Sequence, residues 1–303
     1  MPGFHPNTVL VSAGPAKNPY WTIWYERSLD KSDIRHHYKK PSKPIIKPAS
    51  TQTQFNPAEF TKVALAKDRE WRKLIWRDSF RLQSEEIAEL QRRGVTKWGS
   101  IPFVRTYPGL GIPILTPPIE GKPRLIAMQH RRLRGEGSRY QWFNYKYNPL
   151  LNDPHLCDQI PIGFYGDPET EYVILCEGYL KAAISYLRYD DSTIGVGSHA
   201  NISISYNLIK HYLDSLKNLQ FIYIAPDSNI FTNPRIQASI FKCEELLKQD
   251  FPHLYINLIT WDQHEEYDID ERPAPSIKVT NRNHFLEKHL ELAQSHHDRE
   301  IDD

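Results

Sequence analysis

EYVILCEGYLKAA, the segment from Glu171 to Ala183, contains the clearest structural pattern in the chain. Its residues 172–176 form a short apolar run rich in β-branched side chains, which is typical of a buried strand. The run stops at Glu177-Gly178, and apolar residues then recur at helical spacing as far as Tyr189. This pattern predicts a strand, a tight turn and a helix.

A second segment further along the chain repeats the pattern. LQFIYIAPDSN, from Leu219 to Asn229, contains an apolar strand that ends near Asp227. A helix is predicted to begin at Pro234, because proline suits the first helical position. Parallel strands of an open α/β sheet bring functional groups to the edge formed by their carboxyl ends. Glu177 and Asp227 are therefore predicted to meet at one edge of a sheet.

The residues around these segments continue the alternation. Further strands are predicted at 193–196 and 254–260, and further helices at 204–217 and 234–249. Strict alternation with short connections is typical of a parallel sheet with helices on both faces. The predicted fold class is therefore α/β, with one parallel sheet over residues 169–275.

Two segments precede this sheet. Residues 57–100 carry a helical pattern, and the second of their two helices is predicted to begin at Ser84, a suitable N-cap. Residues 101–168 alternate in short strand-like runs broken by glycine and proline, such as GIPIL and RLIAMQHRRL. They predict a small mixed α+β subdomain.

That subdomain contains a cluster of arginines interleaved with aromatic residues: Arg131, Arg132, Arg134 and Arg139, with Tyr140, Trp142 and Phe143. Guanidinium groups bind phosphates in a bidentate manner and aromatic rings stack on exposed bases, so these residue types are typical of a nucleic-acid groove. A hairpin with a solvated outer face and aromatic core residues explains the same pattern. Both interpretations remain open.

The order of these motifs resembles a known family. A glutamate in a Glu-Gly turn after one strand and an acidic cluster after a later strand resemble the Toprim domain, the catalytic module of bacterial-type primases, topoisomerases and some nucleases. Upstream motifs resemble the core of DnaG-type DNA primases, and most closely their plasmid- and phage-borne relatives. They are Gly111-Ile-Pro-Ile114, Glu120-Gly121, Arg131-Arg132, Arg139-Tyr140 and Ile162-Gly-Phe-Tyr165. The resemblance covers residues 92–270.

The resemblance implies roles for individual residues. Primer synthesis is an attack of a 3′-hydroxyl on an α-phosphate, and it depends on Mg²⁺ or Mn²⁺ bound by oxygen ligands. Glu177 and Asp227 are the implied ligands. Two alternatives for Glu177 are that it acts through a bound water or as a general base. Lys181 is implied to face the triphosphate. The other implied metal ligands are Asn229, Asp268 and Asp270, and the implied nucleic-acid or nucleotide contacts are Arg131, Arg132, Arg134, Arg139, Tyr140, Gly197 and Ser198.

Two positions depart from the family pattern. Asn229 stands where the family has the second aspartate of an Asp-x-Asp motif. An amide oxygen can bind Mg²⁺ but adds no charge, so weaker metal binding or a single metal ion is expected. Lys181 stands where cellular primases have an aspartate, and Glu-Gly-x-x-Lys is similar to the plasmid and phage branch. A solvent-facing helical lysine explains that position equally well.

Composition and charge limit the classes of protein to which this chain can belong. The formal net charge of +1 over 303 residues means that any nucleic-acid surface must be local. The three cysteines, at 157, 176 and 243, form no Cys-x-x-Cys pair, which indicates a reducing cytoplasm and no zinc site. The zinc-binding module of cellular primases is therefore not expected. The sequence shows no pattern of a signal peptide, a membrane span or a P-loop.

The two ends of the chain differ from the middle. Residues 1–56 are rich in proline and serine and include a basic run from 34 to 48, so a largely disordered arm is predicted. The alternative is a basic arm that contacts nucleic acid or a partner protein. Within residues 276–303, an amphipathic helix at 283–295 is predicted to pack on the core.

Two classes of function remain. The first is a metal-dependent, primase-like nucleotidyltransferase that makes short primers on single-stranded DNA from NTPs or dNTPs during replication of a plasmid, phage or other mobile element, with a separate replicative helicase. The second is a Toprim module with a weakened acidic cluster, which binds single-stranded nucleic acid or a replication partner. A Toprim nuclease is a third possibility, but it does not explain the segment 131–147.

Overall fold

The computed structural model of the protein describes the following residues: 8–15, 22–28, 55–77, 81–106, 109–136, 138–143, 160–198, 202–227, 230, 233–260, 269–270 and 278–280. The chain divides into two compact units, Met1–Thr53 and Gln54–Asp303. In the described residues, every helix is too short or too polar to cross a membrane. The predicted helix at 283–295 lies outside this part of the chain.

The first unit contains an antiparallel hairpin of β1 (Thr8–Pro15) and β2 (Thr22–Ser28). This hairpin differs from the sequence-based expectation, which is a largely disordered arm over residues 1–56. Its physical reason is local, because TVLVSAGP and TIWYERS are rich in β-branched and aromatic residues, which favour strands. The basic run from 34 to 48 lies outside the described residues.

The second unit begins with two helices, α1 (Pro57–Arg77) and α2 (Ser84–Arg92). The side chain of Asn56 caps α1 by accepting hydrogen bonds from the backbone nitrogens of residues 58 and 59 at 3.0 and 3.3 Å. The predicted N-cap of α2, Ser84, is wrong by one residue. Gln83 occupies that position, and its backbone nitrogen donates to the Glu86 carboxylate at 2.8 Å.

An antiparallel sheet follows the two helices, with strands β3 (Val104–Thr106), β4 (Gly109–Leu115), β5 (Leu125–Arg132) and β6 (Tyr140–Trp142) in chain order. Helix α1 packs on β5, where the indole nitrogen of buried Trp71 donates to the carbonyl oxygen of Ile126 at 3.3 Å. Every residue of β4 is buried, so this strand forms the centre of the subdomain.

A second sheet forms the rest of the unit. Its order is β12-β11-β10-β8-β9-β7, with β7 (Gly163–Tyr165), β8 (Tyr172–Glu177), β9 (Thr193–Val196), β10 (Phe221–Ala225), β11 (Tyr255–Thr260) and β12 (Lys278–Thr280). The four inner strands are parallel, as predicted. The edge strands β7 and β12 are antiparallel to their neighbours and lie outside the predicted range 169–275.

Three helices connect the parallel strands: α3 (Tyr179–Tyr189), α4 (Ile202–Asp214) and α5 (Pro234–Asp250). The connection through α3 runs from β8 to β9, whereas those through α4 and α5 run in the opposite direction along the sheet. Right-handed crossovers therefore place α3 on one face and α4 and α5 on the other. The predicted α/β class with helices on both faces is confirmed.

The two sheets of the second unit share one hydrophobic core. The buried Tyr165 hydroxyl of β7 donates to the carbonyl oxygen of Pro113 in β4 at 2.8 Å. The rings of Trp142 in β6 and Tyr179 in α3 lie 5.8 Å apart between centroids. The antiparallel sheet is therefore packed beside the start of α3, next to the Glu177-Gly178 turn.

Candidate active site at the carboxyl edge of the parallel sheet

Three neighbouring strand ends define the candidate site. Strand β8 lies between β10 and β9, with Cys176 paired to Ala225 on one side and Glu177 paired to Val196 on the other. Asp227 follows β10 by two residues, and residues 197–198 directly follow β9. The predicted adjacency of the two acid-bearing strands is confirmed, and Glu177 occupies the central position of this edge.

Two glycines determine the path of the chain after Glu177. Gly178 has a φ of 88°, a region that favours glycine, and its backbone nitrogen donates to the carbonyl oxygen of Val196 at 2.6 Å. On β9, a Cβ atom added to Gly195 would lie 2.9 Å from the Cβ of Ala182 and 3.1 Å from the carbonyl oxygen of Gly178. The start of α3 therefore lies directly on β9, because the strand has no side chain there.

Lys181 and Asp227 form an ion pair at this edge. The Lys181 ammonium nitrogen lies 2.6 Å from Asp227 Oδ2, and the two side chains are 16% and 15% exposed. Lys181 is in the first turn of α3, so the pair joins that helix to the chain that leaves β10. The role of Lys181 toward a triphosphate stays a prediction.

The thiol of Cys176 lies next to this edge but is not suited to chemistry. Burial is the main cause that raises the pKa of the Cys176 thiol, and the charge of Asp227 raises it further, while Lys181 opposes the change. The thiol therefore stays protonated at neutral pH. A protonated, buried thiol is neither a nucleophile nor a metal ligand.

The residues at the edge fit a magnesium-type ion. Glu177 and Asp227 are half-buried carboxylates at adjacent strand ends, and Mg²⁺ is commonly bound by one or two carboxylates together with water and phosphate oxygens. Asn229 and Asp268, two further predicted ligands, lie outside the described residues. Within those residues, no group of three or more His, Cys, Asp or Glu side chains is arranged to bind a metal ion.

The structure corrects the prediction that Asp270 is a metal ligand. Its side chain is fully buried and forms an ion pair with the Arg93 guanidinium, and its carbonyl oxygen accepts a hydrogen bond from Arg188. Arg188 lies in the last turn of α3, about 10 Å along the helix from Lys181 at 1.5 Å per residue. The Asp270 carboxylate is therefore part of a buried ion pair rather than a solvent-accessible ligand.

Arg131 is a correction to the predicted nucleic-acid surface. Its side chain is 2% exposed, and one guanidinium nitrogen lies 2.8 Å from Glu89 Oε1 of α2. The guanidinium also packs over the ring of Tyr140 at 5.2 Å from the centroid and donates to the hydroxyl of that tyrosine. Burial lowers the pKa of Arg131. Both side chains thus contribute to packing between β5, β6 and α2.

Glu89 is a central residue that the sequence interpretation missed. Its carboxylate contacts Arg92, Arg93 and Arg131. Burial opposes ionisation, but the hydrogen bonds from Arg92 and Arg93 and the charge of Arg131 outweigh it and lower the pKa of Glu89 to about 2. The i, i+4 spacing of Glu89 and Arg93 is the signal that indicates one of these pairs. The network joins α2 to β5 and to Asp270.

Of the remaining predicted arginines, Arg132 is the last residue of β5, and Arg134 and Arg139 lie on the turn between β5 and β6. Arg134 and Arg139 are exposed and Arg132 is half-buried, and Arg134 forms an ion pair with Glu85 of α2. The backbone nitrogen of Arg132 donates to the carbonyl oxygen of Arg139 at 2.8 Å. Trp142, at the end of β6 away from this turn, packs on Tyr179, so that end of the hairpin lies beside the candidate site.

Gly197 and Ser198 are half-buried residues directly after β9. Since β9 is the neighbour of β8, they lie at the same edge as Glu177. Their predicted contact with a nucleotide stays a prediction.

No protein-family model matches the chain, and no curated protein matches its sequence. The fold is similar to solved structures of primases. One is a crystal structure of the Aquifex aeolicus primase that contains its zinc-binding and RNA polymerase domains. It matches at 15% identity over 63% of this chain and only 46% of that chain, with a TM-score of 0.39. A DnaG primase catalytic domain bound to ssDNA matches at 11% identity over 77% of this chain and 80% of that chain, with a TM-score of 0.47. A DNA primase domain from Pseudomonas aeruginosa matches at 13% identity over 68% of this chain and 75% of that chain, with a TM-score of 0.44.

Proposed function

We propose that this protein is a DnaG-like primase, a metal-dependent nucleotidyltransferase that makes short primers on single-stranded DNA. One observation carries the proposal: the parallel neighbours β10, β8 and β9 bring Asp227, Glu177 and Ser198 to a single edge. Such edges are where open α/β sheets bind ligands. The hairpin of β5 and β6, whose turn carries the exposed arginines, packs beside that edge through Trp142 at its other end.

Each group has a role in this proposal. Glu177 and Asp227 bind Mg²⁺ or Mn²⁺, which when bound supplies positive charge to the transferred phosphate and favours ionisation of the attacking 3′-hydroxyl. Residues 197–198 contact the incoming nucleotide, an NTP or a dNTP. The exposed Arg134 and Arg139, together with Arg132, bind the phosphates of the template. Arg131 and Asp270 have no direct role, because both side chains are buried in ion pairs.

The biological setting is also a proposal. The Glu-Gly-x-x-Lys pattern ending at Lys181 is similar to the plasmid and phage branch of these primases. We therefore infer replication of a mobile element in the cytoplasm, with a replicative helicase as a separate protein.

Primer synthesis tests the proposal. The full chain is incubated with single-stranded DNA, labelled NTPs or dNTPs, and Mg²⁺ or Mn²⁺. We expect product from the natural protein and a loss of at least about 100-fold in Glu177→Gln and Asp227→Asn, because each change removes a charge from the ion site. Glu169→Gln is the matched control, since Glu169 is 50% exposed and lies before β8, at the other edge of the same sheet. Activity that survives both site variants contradicts the proposal.

A binding module without catalysis is the second candidate. It is favoured by the ion pair in which Lys181 already neutralises Asp227 at 2.6 Å, which lowers the negative charge available to a metal ion. This candidate predicts that single-stranded DNA binds and that no primer forms under any metal or nucleotide condition. Binding without product in the natural protein therefore supports the module, whereas product that depends on Glu177 supports the enzyme.

A further inference from the structure

Lys181 occupies a position that the helix itself does not favour. It is the third residue of α3, in a first turn that contains no acidic residue. The positive end of the helix dipole lies there, so a cation at this position is destabilising with respect to the helix. The ion pair with Asp227 at 2.6 Å offsets this cost. Its position is therefore explained by the site rather than by the helix.

The surroundings make this ion pair different from a surface pair. The side chains of Lys181 and Asp227 are 16% and 15% exposed, whereas those of the pair between Lys217 and Glu169 are 76% and 50% exposed. Charges that are partly buried are screened less by water and salt than exposed charges. A divalent cation that approaches Asp227 therefore meets the ammonium group at short range and with little screening.

We propose that Lys181 is a built-in counter-ion of Asp227, which competes with the divalent cation for that carboxylate and sets how tightly the site binds metal. This inference rests on the proposed role of Asp227 as a metal ligand. A metal ion must either displace the ammonium from Asp227 Oδ2 or bind beside it against like-charge repulsion. In both cases Lys181 weakens metal binding when nucleotide is absent.

Metal binding by the full chain tests this inference without any activity measurement. Mn²⁺ affinity is measured by electron paramagnetic resonance or calorimetry with no nucleotide and no DNA. We expect Lys181→Met to bind Mn²⁺ about ten-fold more tightly than the natural protein, because it removes one short-range positive charge. Lys181→Arg keeps the charge and should bind like the natural protein. Lys217→Met is the matched control, because it removes the same charge from an exposed pair, and it should leave the affinity unchanged.

A double-mutant cycle shows whether Lys181 acts through Asp227. Asp227→Asn should weaken Mn²⁺ binding, and adding Lys181→Met to that variant should then have little further effect. An equal gain from Lys181→Met with and without Asp227 contradicts the inference, because it indicates only a general charge effect. Thermal unfolding checks that each variant is folded, and Lys181→Gln replaces the methionine variant if that variant does not fold.

The outcomes separate this inference from the proposed function. If the natural protein and Lys181→Met bind Mn²⁺ equally, the counter-ion role is overturned while the metal site remains. If neither binds Mn²⁺, the metal site itself is overturned, and with it the proposed primase. Tighter binding by Lys181→Met that requires Asp227 supports both.

Discussion

The backbone nitrogen of Gly178 donates a hydrogen bond to the carbonyl oxygen of Val196 at 2.6 Å, which attaches the turn after Glu177 to the neighbouring strand. The same turn lies over Gly195, where any side chain would contact α3. The position of Glu177 at the sheet edge therefore depends on two glycines and one hydrogen bond. This dependence gives a first test of the site by changes that leave its charged residues in place.

Gly195→Ala should destabilise the fold and disturb the site. The new Cβ would lie 2.9 Å from Ala182 Cβ and 3.2 Å from the Cα of Tyr179, so α3 must shift away from β9. Overpacking of this kind costs roughly 1–3 kcal/mol of the free energy of unfolding, and we expect weaker Mn²⁺ binding as well. Urea unfolding and Mn²⁺ titration measure the two effects. Gly99→Ala is the control, since no atom beyond its two chain neighbours lies within 4 Å of a Cβ at that position. Unchanged stability and affinity in Gly195→Ala would contradict the account.

Arg134→Ala and Arg139→Ala should weaken binding of single-stranded DNA without unfolding the protein. Both side chains are exposed on the turn between β5 and β6, and the Arg134 ion pair with Glu85 is a surface pair that a phosphate can replace. Each lost phosphate contact lowers the slope of log affinity against log salt by about 0.7 for a single strand. Fluorescence anisotropy over a salt series measures affinity and slope together. Lys217→Ala, a cation removed from the other edge of the sheet, should have no effect on either quantity. A salt slope that is the same in all three variants would exclude the hairpin as the template surface.

Arg131→Met, unlike the Arg134 and Arg139 variants, should destabilise the fold. The arginine is 2% exposed and pairs with Glu89 at 2.8 Å, so its loss leaves a buried carboxylate with fewer partners. Breaking a buried ion pair from one side costs about 3–5 kcal/mol, although Arg92 and Arg93 still contact Glu89 and place the expected value at the lower end. Denaturant unfolding gives the loss directly. If Arg131→Met keeps full stability but loses DNA affinity, Arg131 is a surface ligand and the core assignment is wrong.

The Glu89 network should make the protein sensitive to acid. The pKa of Glu89 is about 2 in the folded chain, below the ordinary value of 4.5. Because the folded value is the lower one, the unfolded chain takes up the proton first. The stabilisation is therefore complete above about pH 4.5 and is lost as the pH falls toward 2, by roughly 3 kcal/mol at most.

Glu89→Gln tests the origin of this acid sensitivity. The variant should be less stable at neutral pH, and its free energy of unfolding should change less between pH 4.5 and 2 than that of the natural protein. Glu169→Gln is the control, because that carboxylate is half exposed and pairs only at the surface. Identical pH profiles for the natural protein and Glu89→Gln would show that another group causes the acid sensitivity.

The strand pattern in the sequence is sufficient to predict the sheet edge. The apolar runs that end at Glu177 and near Asp227 each indicate a buried strand and the position where it ends. Parallel strands buried on both faces have few polar residues, and their functional groups follow the last apolar residue. The antiparallel edge strands β7 and β12 are each three residues long and carry no such signal.

The orientation of Arg131 and Arg132, unlike the sheet edge, cannot be predicted from the local sequence, because it depends on partners that are distant along the chain. Arg131 and Arg132 are consecutive in β5, so their side chains point to opposite faces of the sheet. Which face is buried is decided by Glu89 in α2 and Tyr140 in β6, and the local composition contains no information on either contact. The same holds for Asp270, whose partner Arg93 is separated from it by 177 positions along the chain.

In the proposed site, Glu177 and Asp227 together bind one divalent cation at the carboxyl edge of the sheet. Crystals of the full chain soaked in Mn²⁺, with diffraction measured for anomalous scattering from manganese, test it most directly. We expect an anomalous peak within ligand distance of a carboxylate oxygen of both residues, and no such peak in crystals of Asp227→Asn treated in the same way. A manganese peak elsewhere in the molecule, with these two carboxylates unoccupied, would contradict it.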